Sequence, residues 1–314
     1  MITLEDRING GVYALIIGDA LGVPVEFKQR VELQKNPVTG YRSYGSHNQP
    51  SGTWSDDSSL MLCTLESLHN GIDYDAAMKS FEKWFSSSYM TATGTVFDVG
   101  GTTSMALLRY KRGIDAIACG PTDENSNGNG SLMRILPIAF EMYGSDDDTE
   151  REVVFNYSAL THGHIRSKIA CWFYCRIIRN VIAGKSKEQA VDDAYAVVEK
   201  WCAENSFADE FNLFKRCKST ITGEPSESIQ SSGYVLHTFE ASLYSFLNGD
   251  TVIDALLMSV NMGKDTDTVA AVTGGLAGTY YGIGAIDKKW IDGLQSKDKI
   301  EEVLQNYIQS LSRA

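Results

Sequence analysis

Apolar residues recur at helical spacing along most of the chain. In residues 56–71 the apolar stripe passes through Leu60, Cys63 and Leu68, and Gly71 ends it. The same spacing predicts further helices over residues 164–185, 186–205, 234–249, 250–263 and 297–314.

We find no alternating strand pattern, no strand–helix–strand rhythm, no internal repeat and no low-complexity linker. Glycine- and serine-rich stretches occur near residues 39–53, 91–104 and 120–131, and they are too short to separate domains. The pattern therefore predicts an all-α protein with a single compact many-helix domain over residues 1–314. We expect its functional loops to lie over one face of the helices.

Charge and composition argue against several classes of function. The chain has 314 residues and a net charge of −12, which argues against general nucleic-acid binding. No run of 18 apolar residues and no secretory signal is present, so we expect no membrane association, a cytoplasmic location and, by default, a monomer. The six cysteines form no C-x-x-C pair, and we expect buried, reduced thiols.

Two acidic clusters stand at predicted helix starts. The first is Ser55-Asp56-Asp57, and the second is the run "DTDT" at residues 265–268, before a helix expected to begin near Val269. A helix N-cap explains one carboxylate in each cluster but not two. Carboxylate and hydroxyl oxygens suit Mg²⁺, Mn²⁺ or Ca²⁺ rather than zinc.

The stretch "AAVTGGLAG" that follows the second cluster has almost no side-chain bulk. Small residues let helix backbones approach closely, so the two acidic helix starts could meet in the core. Four carboxylates brought together would repel one another without a counter-charge. Two divalent cations would neutralise them, which is the chemical argument for a binuclear site.

Two other motifs share parts of this pattern. Asp265 and Asp267 match the D-x-D nucleophile motif of haloacid-dehalogenase-type phosphatases, but that motif follows a buried strand, and here the preceding segment has a helical period. The sequence "DDSSL" also approaches the D-D-x-x-D motif of helical terpenoid synthases, but Leu60 occupies the place of the last carboxylate.

A glycine-containing loop at residues 127–130 precedes a short helix that we expect to start at Ser131 and to be limited by Pro137. Backbone N–H groups at such a start can bind an anion, although a simple turn explains the sequence equally well. His162 and His164 could bind metal, phosphate or ribose oxygens, and a structural role is the more common outcome for either one.

Six stretches together resemble the ADP-ribosylglycohydrolase family. In order along residues 11–282 they are "GDALGVPVEF", "WSDDSSLML", "FDVGGTTSMAL", "NGNGSLMRILP", "THGH" and "GKDTDTVAAVTGGLAGTYYG". The resemblance implies an all-α fold with a binuclear Mg²⁺ or Mn²⁺ centre in a cleft. Lys264 departs from the glycine common at that place in the family, and Ser55 departs from the common threonine.

The resemblance also implies roles for individual residues. Glu26 matches the family's mobile-loop glutamate, Asp98 matches a proposed acid/base, and Asp57 belongs to both the catalytic and the metal-binding set. The implied metal ligands are Ser55, Asp56, Asp57, Asp265, Asp267 and Thr268. The implied substrate-binding residues are Gly100, Asn127, Gly128, Asn129, Gly130, Ser131 and His162.

The implied activity is hydrolysis of the C1″ bond between ADP-ribose and an acceptor on a protein or small molecule, such as an arginine side chain, with release of ADP-ribose. Two alternatives remain open at this point. One is a two-metal hydrolase of another ADP-ribose derivative, such as an acyl or small-molecule conjugate. The other is a non-catalytic ADP-ribose-binding or immunity module. The sequence does not identify the acceptor.

Overall fold

The fold is built from helices, as predicted. The computed structural model describes residues 2–311, and within them it contains no β-strands, only isolated bridges between Tyr44 and Gln49 and between Gly128 and Tyr234. That the chain forms one domain over 1–314 stays a prediction. The fifteen α-helices of the described residues are α1 Leu4–Gly22, α2 Arg30–Lys35, α3 Asp56–Ser67, α4 Tyr74–Ser87, α5 Gly101–Lys111, α6 Leu136–Glu141, α7 Asp147–Ala159, α8 Ile165–Ile182, α9 Lys187–Glu204, α10 Ala208–Phe211, α11 Val235–Asn248, α12 Val252–Val260, α13 Thr266–Tyr281, α14 Lys288–Asp292 and α15 Lys297–Leu311.

Helix α1 is the central element that the sequence pattern did not predict. Its first turns are polar, but residues 10–22 are all buried and almost all apolar, so this part has no polar face to reveal a helical period. The segment Leu4–Val25 is long and apolar enough to cross a membrane by length and composition, with a mean hydropathy of 1.4. Within the protein, 94% of that segment's most apolar window is buried, as in a core helix.

Helices α1 and α13 pack with their backbones in direct contact. A Cβ atom on Gly18 of α1 would lie 2.3 Å from the carbonyl oxygen of Ala270. A Cβ atom on Gly274 of α13 would lie 2.2 Å from the carbonyl oxygen of Ala14. These distances are shorter than non-bonded contacts of real Cβ atoms, so only glycine at these positions permits the observed separation of α1 and α13.

The close packing of α1 and α13 brings polar residues of the two helices together in the core. A Cβ atom on Gly22, at the end of α1, would lie 2.3 Å from the Cα atom of Asp267. Asp19 and Asp267 are both fully buried at this end of the helix pair. The N-terminus of α3 contacts the same end and contributes Asp57.

Two predicted helix starts were wrong. Helix α13 begins at Thr266, earlier than Val269, and it includes Asp267 and Thr268. Ser131 lies in a turn rather than at a helix start, because α6 begins at Leu136 and Pro137 occupies its first turn instead of ending it.

The predicted helices over residues 164–185 and 186–205 are confirmed as α8 and α9. Ser186 and Gln189 form a capping box at the start of α9, and Gly184 has a positive φ of 87° directly after α8. The C-terminal helix extends to Leu311, and residues 312–314 of its predicted range lie outside the described residues. All six cysteines are buried and free.

We expect the substitution Gly18→Ala to destabilise the protein by about 2 kcal/mol, since overpacking against a fixed backbone typically costs about 1–3 kcal/mol. The new methyl group would collide with Ala270, and α1 would have to move away from α13. Urea unfolding measures the difference from the wild type.

The matched control for this prediction is Gly284→Ala, because a Cβ atom there has no heavy atom within 4 Å. We expect it to change the free energy of unfolding by less than about 0.5 kcal/mol. Equal effects of the two substitutions would contradict the packing argument.

Candidate functional site

The start of α3 is held by a buried carboxylate from α1. Asp19 accepts hydrogen bonds from the backbone N–H groups of Ser55 at 2.9 Å and Ser58 at 3.0 Å, and from the Ser58 hydroxyl at 2.5 Å. Ser55 is also the N-cap, and its Oγ accepts from the Asp57 N–H at 3.3 Å. Asp19 therefore fixes the direction in which α3 presents Asp56 and Asp57.

The second acidic cluster is held by side chains and backbone around the start of α13. Asp265 stands at the N-cap position without a side-chain capping bond, and its Oδ2 instead accepts from Asn129 Nδ2 at 2.8 Å. Asp267 Oδ1 accepts from the Thr268 N–H at 3.0 Å. Helix capping thus accounts for neither carboxylate of this pair.

Two fully buried carboxylate oxygens have no hydrogen-bond donor in the described part of the chain. Asp57 Oδ1 and Asp267 Oδ2 are both buried and both unpartnered. Buried polar atoms normally have a partner, so each such atom needs an explanation. These oxygens, from α3 and α13, are where a cation would be bound.

The carboxylates form two groups that share Asp267. Asp19, Asp57 and Asp267 each offer an oxygen within 4.8 Å of the others. The second group consists of Glu26, His47, Asp98 and Asp267, whose ligand atoms also lie within 4.8 Å of one another. The donor set is dominated by oxygen, which fits a hard divalent cation.

Negative charge at the site is poorly compensated by the protein. Burial, followed by the charges of neighbouring carboxylates, raises the pKa values of Asp56, Asp57 and Asp267 well above their usual range. Burial raises the pKa of Asp19 to about 6, although its hydrogen bonds act in the opposite direction. Among the described residues, the only ion pair that includes a carboxylate of these groups joins Glu26 to His47.

Glu26 lies on a loop that closes one side of the site. Its carboxylate contacts His47 Nε2, and its carbonyl oxygen accepts from the Ser46 hydroxyl at 2.5 Å. Burial raises the pKa of Glu26 to about 8, and the hydrogen bond to Glu26 raises the pKa of His47. The pair therefore holds a proton at neutral pH.

Lys264 connects this loop to the second acidic cluster. Its carbonyl oxygen accepts from the Phe27 N–H at 2.6 Å, and its own N–H donates to the Lys28 carbonyl oxygen at 2.7 Å. Lys264 has a positive φ of 64°, a conformation that glycine adopts more easily. Backbone geometry thus explains why glycine would suit this position.

A cavity of about 180 Å³ opens beside the carboxylates. Of the residues predicted to bind metal, Asp56, Asp265 and Thr268 line it, whereas the buried residues Ser55, Asp57 and Asp267 do not. Of the other predicted site residues, those that line it are Glu26, Asp98, Gly100, Asn129, Gly130 and His162.

Three residues predicted to bind substrate do not line the cavity. The Asn127 side chain donates to the Glu124 carbonyl oxygen at 2.9 Å and accepts from Ser167 Oγ at 3.1 Å. Ser131 is fully buried, and its hydroxyl accepts from Ser158 Oγ at 3.1 Å. A Cβ atom on Gly128 would lie 3.4 Å from His162 Nε2, so Gly128 leaves room for that ring.

Sequence reasoning missed several residues at the site. His47 lies in a loop without helical period, and only the structure places it against Glu26. Thr102 and Thr103 line the cavity from the first turn of α5. The polar residue Asp19 inside an otherwise apolar stretch was a signal available in the sequence, because a buried charge requires partners.

Comparisons with known proteins identify the family to which the chain belongs. The family model described as ADP-ribosylglycohydrolase matches residues 1–313. A protein of Serratia proteamaculans named ADP-ribosylarginine hydrolase Tri1 is 31% identical over 309 residues, which cover 96% of this chain and 78% of that protein. The ADP-ribosyl-[dinitrogen reductase] glycohydrolase of Rhodospirillum rubrum is 28% identical, with 98% of this chain and 96% of that protein covered.

A solved structure described as an ADP-ribosylglycohydrolase-related protein complex superposes with a TM-score of 0.80 at 28% identity, and the match covers 99% of each chain. The family match spans nearly the whole sequence. The chain therefore belongs to the ADP-ribosylglycohydrolase family.

Proposed function

We propose that this protein hydrolyses the C1″ glycosidic bond of ADP-ribosylated arginine and releases ADP-ribose. The observation that supports it most directly is the pair of buried, unpartnered oxygens Asp57 Oδ1 and Asp267 Oδ2 beside a polar cavity. The names of the Serratia relative and of a second relative from Pseudomonas putida, 28% identical, support arginine as the acceptor.

The same oxygens support binding of two divalent cations, Mg²⁺ or Mn²⁺. The residues that would hold them are Ser55, Asp56, Asp57, Asp265, Asp267 and Thr268. When bound, such cations supply positive charge to ribose hydroxyl groups and make a coordinated water more acidic.

The size of the cavity supports a particular orientation of the substrate. A volume of about 180 Å³ is below the roughly 300–1,000 Å³ of pockets that enclose whole small-molecule ligands. The distal ribose would enter the cavity beside Asp56 and Asp98. The diphosphate would extend past the glycine loop at residues 128–130, and the acceptor would remain outside.

Hydrolysis breaks the bond between C1″ and the guanidine nitrogen, adds the oxygen of water to C1″ and leaves a proton on the nitrogen. Glu26 and Asp98 both line the cavity and are the candidates for moving that proton. Burial raises the pKa of Glu26 to about 8, which suits a proton donor near neutral pH.

The decisive activity experiment offers purified protein ADP-ribosylated arginine and ADP-ribosylated serine with Mg²⁺, with Mn²⁺ and with a chelator. We expect metal-dependent release of free ADP-ribose from the arginine conjugate. Release from the serine conjugate alone would show that the acceptor is serine rather than arginine. Binding of ADP-ribose without release from either would favour a non-catalytic module.

We expect Asp57→Asn and Asp267→Asn each to lower turnover by roughly 100-fold or more, because each removes an anionic ligand. Each variant should also raise the melting temperature of the metal-free protein, since it removes a buried like charge. Thermal unfolding with and without Mg²⁺ measures the second effect independently of activity.

Asp73→Asn is the matched control for these two variants. Asp73 is an exposed helix N-cap outside the cavity lining, and asparagine caps equally well. It should retain activity and the stabilisation by Mg²⁺. Stabilisation by Mg²⁺ that survives in Asp57→Asn would contradict the assignment of Asp57 as a ligand.

We expect the metal-free protein to lose stability as pH rises. The folded-state pKa values are raised, to about 6 for Asp19 and about 8 for Glu26, so their contribution is complete at acidic pH and is lost as pH rises through these values. Melting temperatures in chelator from acidic to mildly alkaline pH test this. Saturating Mg²⁺ should flatten the dependence, and a melting temperature in chelator that rises with pH would refute it.

A further inference from the structure

Arg134 is a buried cation without an acidic partner in the described chain. Its side chain is fully buried under the glycine loop, and its guanidinium carbon lies 4.7 Å from the centre of the Phe81 ring. Nη2 donates to the Tyr157 carbonyl oxygen at 2.9 Å and to Thr161 Oγ1 at 2.8 Å. A buried charge without a counter-ion is costly, so its presence here calls for an explanation.

The hydrogen bond from Arg134 determines what the Thr161 hydroxyl can do. Arginine can only donate, so Thr161 Oγ1 is an acceptor in this contact. The second partner of that oxygen is His162 Nδ1, at 2.9 Å. Thr161 is fully buried, and its own hydroxyl hydrogen has one recorded acceptor among the described residues, namely Nδ1.

The alternative arrangement, in which His162 Nδ1–H donates to Thr161, leaves the Thr161 O–H group buried without an acceptor. Unpaired buried hydroxyl groups are disfavoured because they lose their hydrogen bonds to water. Nδ1 is therefore the acceptor, and the ring proton resides on Nε2.

Nε2 lies at the cavity wall. A Cβ atom on Gly130 would be 3.3 Å from Nε2, and one on Gly128 would be 3.4 Å away, so both glycines leave space around this nitrogen. His162 lines the cavity, and among the described residues no protein acceptor is recorded for Nε2. Its N–H group is available to a ligand.

We propose that Arg134 and Thr161 are positioning residues that fix His162 as the neutral Nε2–H tautomer, so that His162 donates a hydrogen bond to a substrate oxygen in the cavity. The substrate assignment rests on the proposed function, whereas the tautomer does not. An oxygen of the diphosphate or of the adjoining ribose is the acceptor, since these groups present only oxygen atoms toward a donor.

The electrostatic setting agrees with a neutral ring. Burial, together with the nearby Arg134 charge, lowers the pKa of His162 to about 3. A permanently neutral donor keeps the same hydrogen-bonding pattern throughout the physiological pH range, unlike an exposed histidine.

The test combines Thr161→Val, which removes the hydroxyl at nearly constant shape, with Thr161→Ser, which keeps it. Two-bond ¹H–¹⁵N spectra of the imidazole groups report the tautomer, and the His162 signals are assigned from the spectrum of His162→Asn. In the wild type and Thr161→Ser we expect a protonated Nε2 and an unprotonated Nδ1. Thr161→Val should show Nδ1 protonation or a mixture of tautomers.

The functional readout is affinity for ADP-ribose, measured by calorimetry with Mg²⁺ present. We expect roughly tenfold weaker binding by Thr161→Val, the equivalent of one lost hydrogen bond, and an effect below about threefold for Thr161→Ser. Hydrolysis should show the loss mainly in KM. Thermal unfolding identifies any general loss of structure in Thr161→Val. If that variant does not fold, the tautomer is still tested by the spectra of the wild type and of Thr161→Ser.

A wild-type His162 that is charged near neutral pH or protonated at Nδ1 would overturn the proposal. An unchanged tautomer in a folded Thr161→Val variant would also overturn the role of Thr161. If the spectra agree with the proposal but the wild type neither binds ADP-ribose nor hydrolyses its conjugates, the proposed function fails and the tautomer assignment stands.

Discussion

The contact between the backbones of α1 and α13 is the constraint on which the site depends. Gly18 and Gly274 place each helix within van der Waals distance of the other's carbonyl groups. That separation brings Asp19 and Asp267 to the same buried point, and Asp19 in turn holds the start of α3. The positions of the acidic side chains thus follow from main-chain packing rather than from flexible loops.

The carboxylates gathered at this point are only partly stabilised by the protein. Asp19 and Asp265 have donors, from Ser58 and Asn129 among others, whereas one oxygen of Asp57 and one of Asp267 have none. A core that leaves such oxygens unpaired is stable only if the carboxyl groups are protonated or bind a cation. Folding and ligand binding are therefore connected through the same few atoms.

The sequence was sufficient to predict the amphipathic helices and the acidic clusters, but it was insufficient to predict α1. Amphipathic helices such as α9 have a polar face, so their period is visible, whereas residues 10–22 of α1 are buried on all sides and show none. The acidic runs were recognisable because helix capping uses one carboxylate, not two.

Contacts between distant loops were not recognisable in the sequence. The pairing of His47 with Glu26 joins two segments without helical period, and the links among Arg134, Thr161 and His162 depend on the fold. Ser131 was misplaced because a glycine turn before a proline resembles a helix start.

The glycine contact also determines where the sequence of this protein can change. The atoms that a Cβ on Gly18 would meet all belong to the backbone of α13, so a smaller side chain on α13 cannot make room for a larger residue there. Phe27 and Tyr44, on loops near Glu26, have exposed side chains that are free of this packing limit. Side chains on these loops can therefore change while the buried acidic arrangement stays the same.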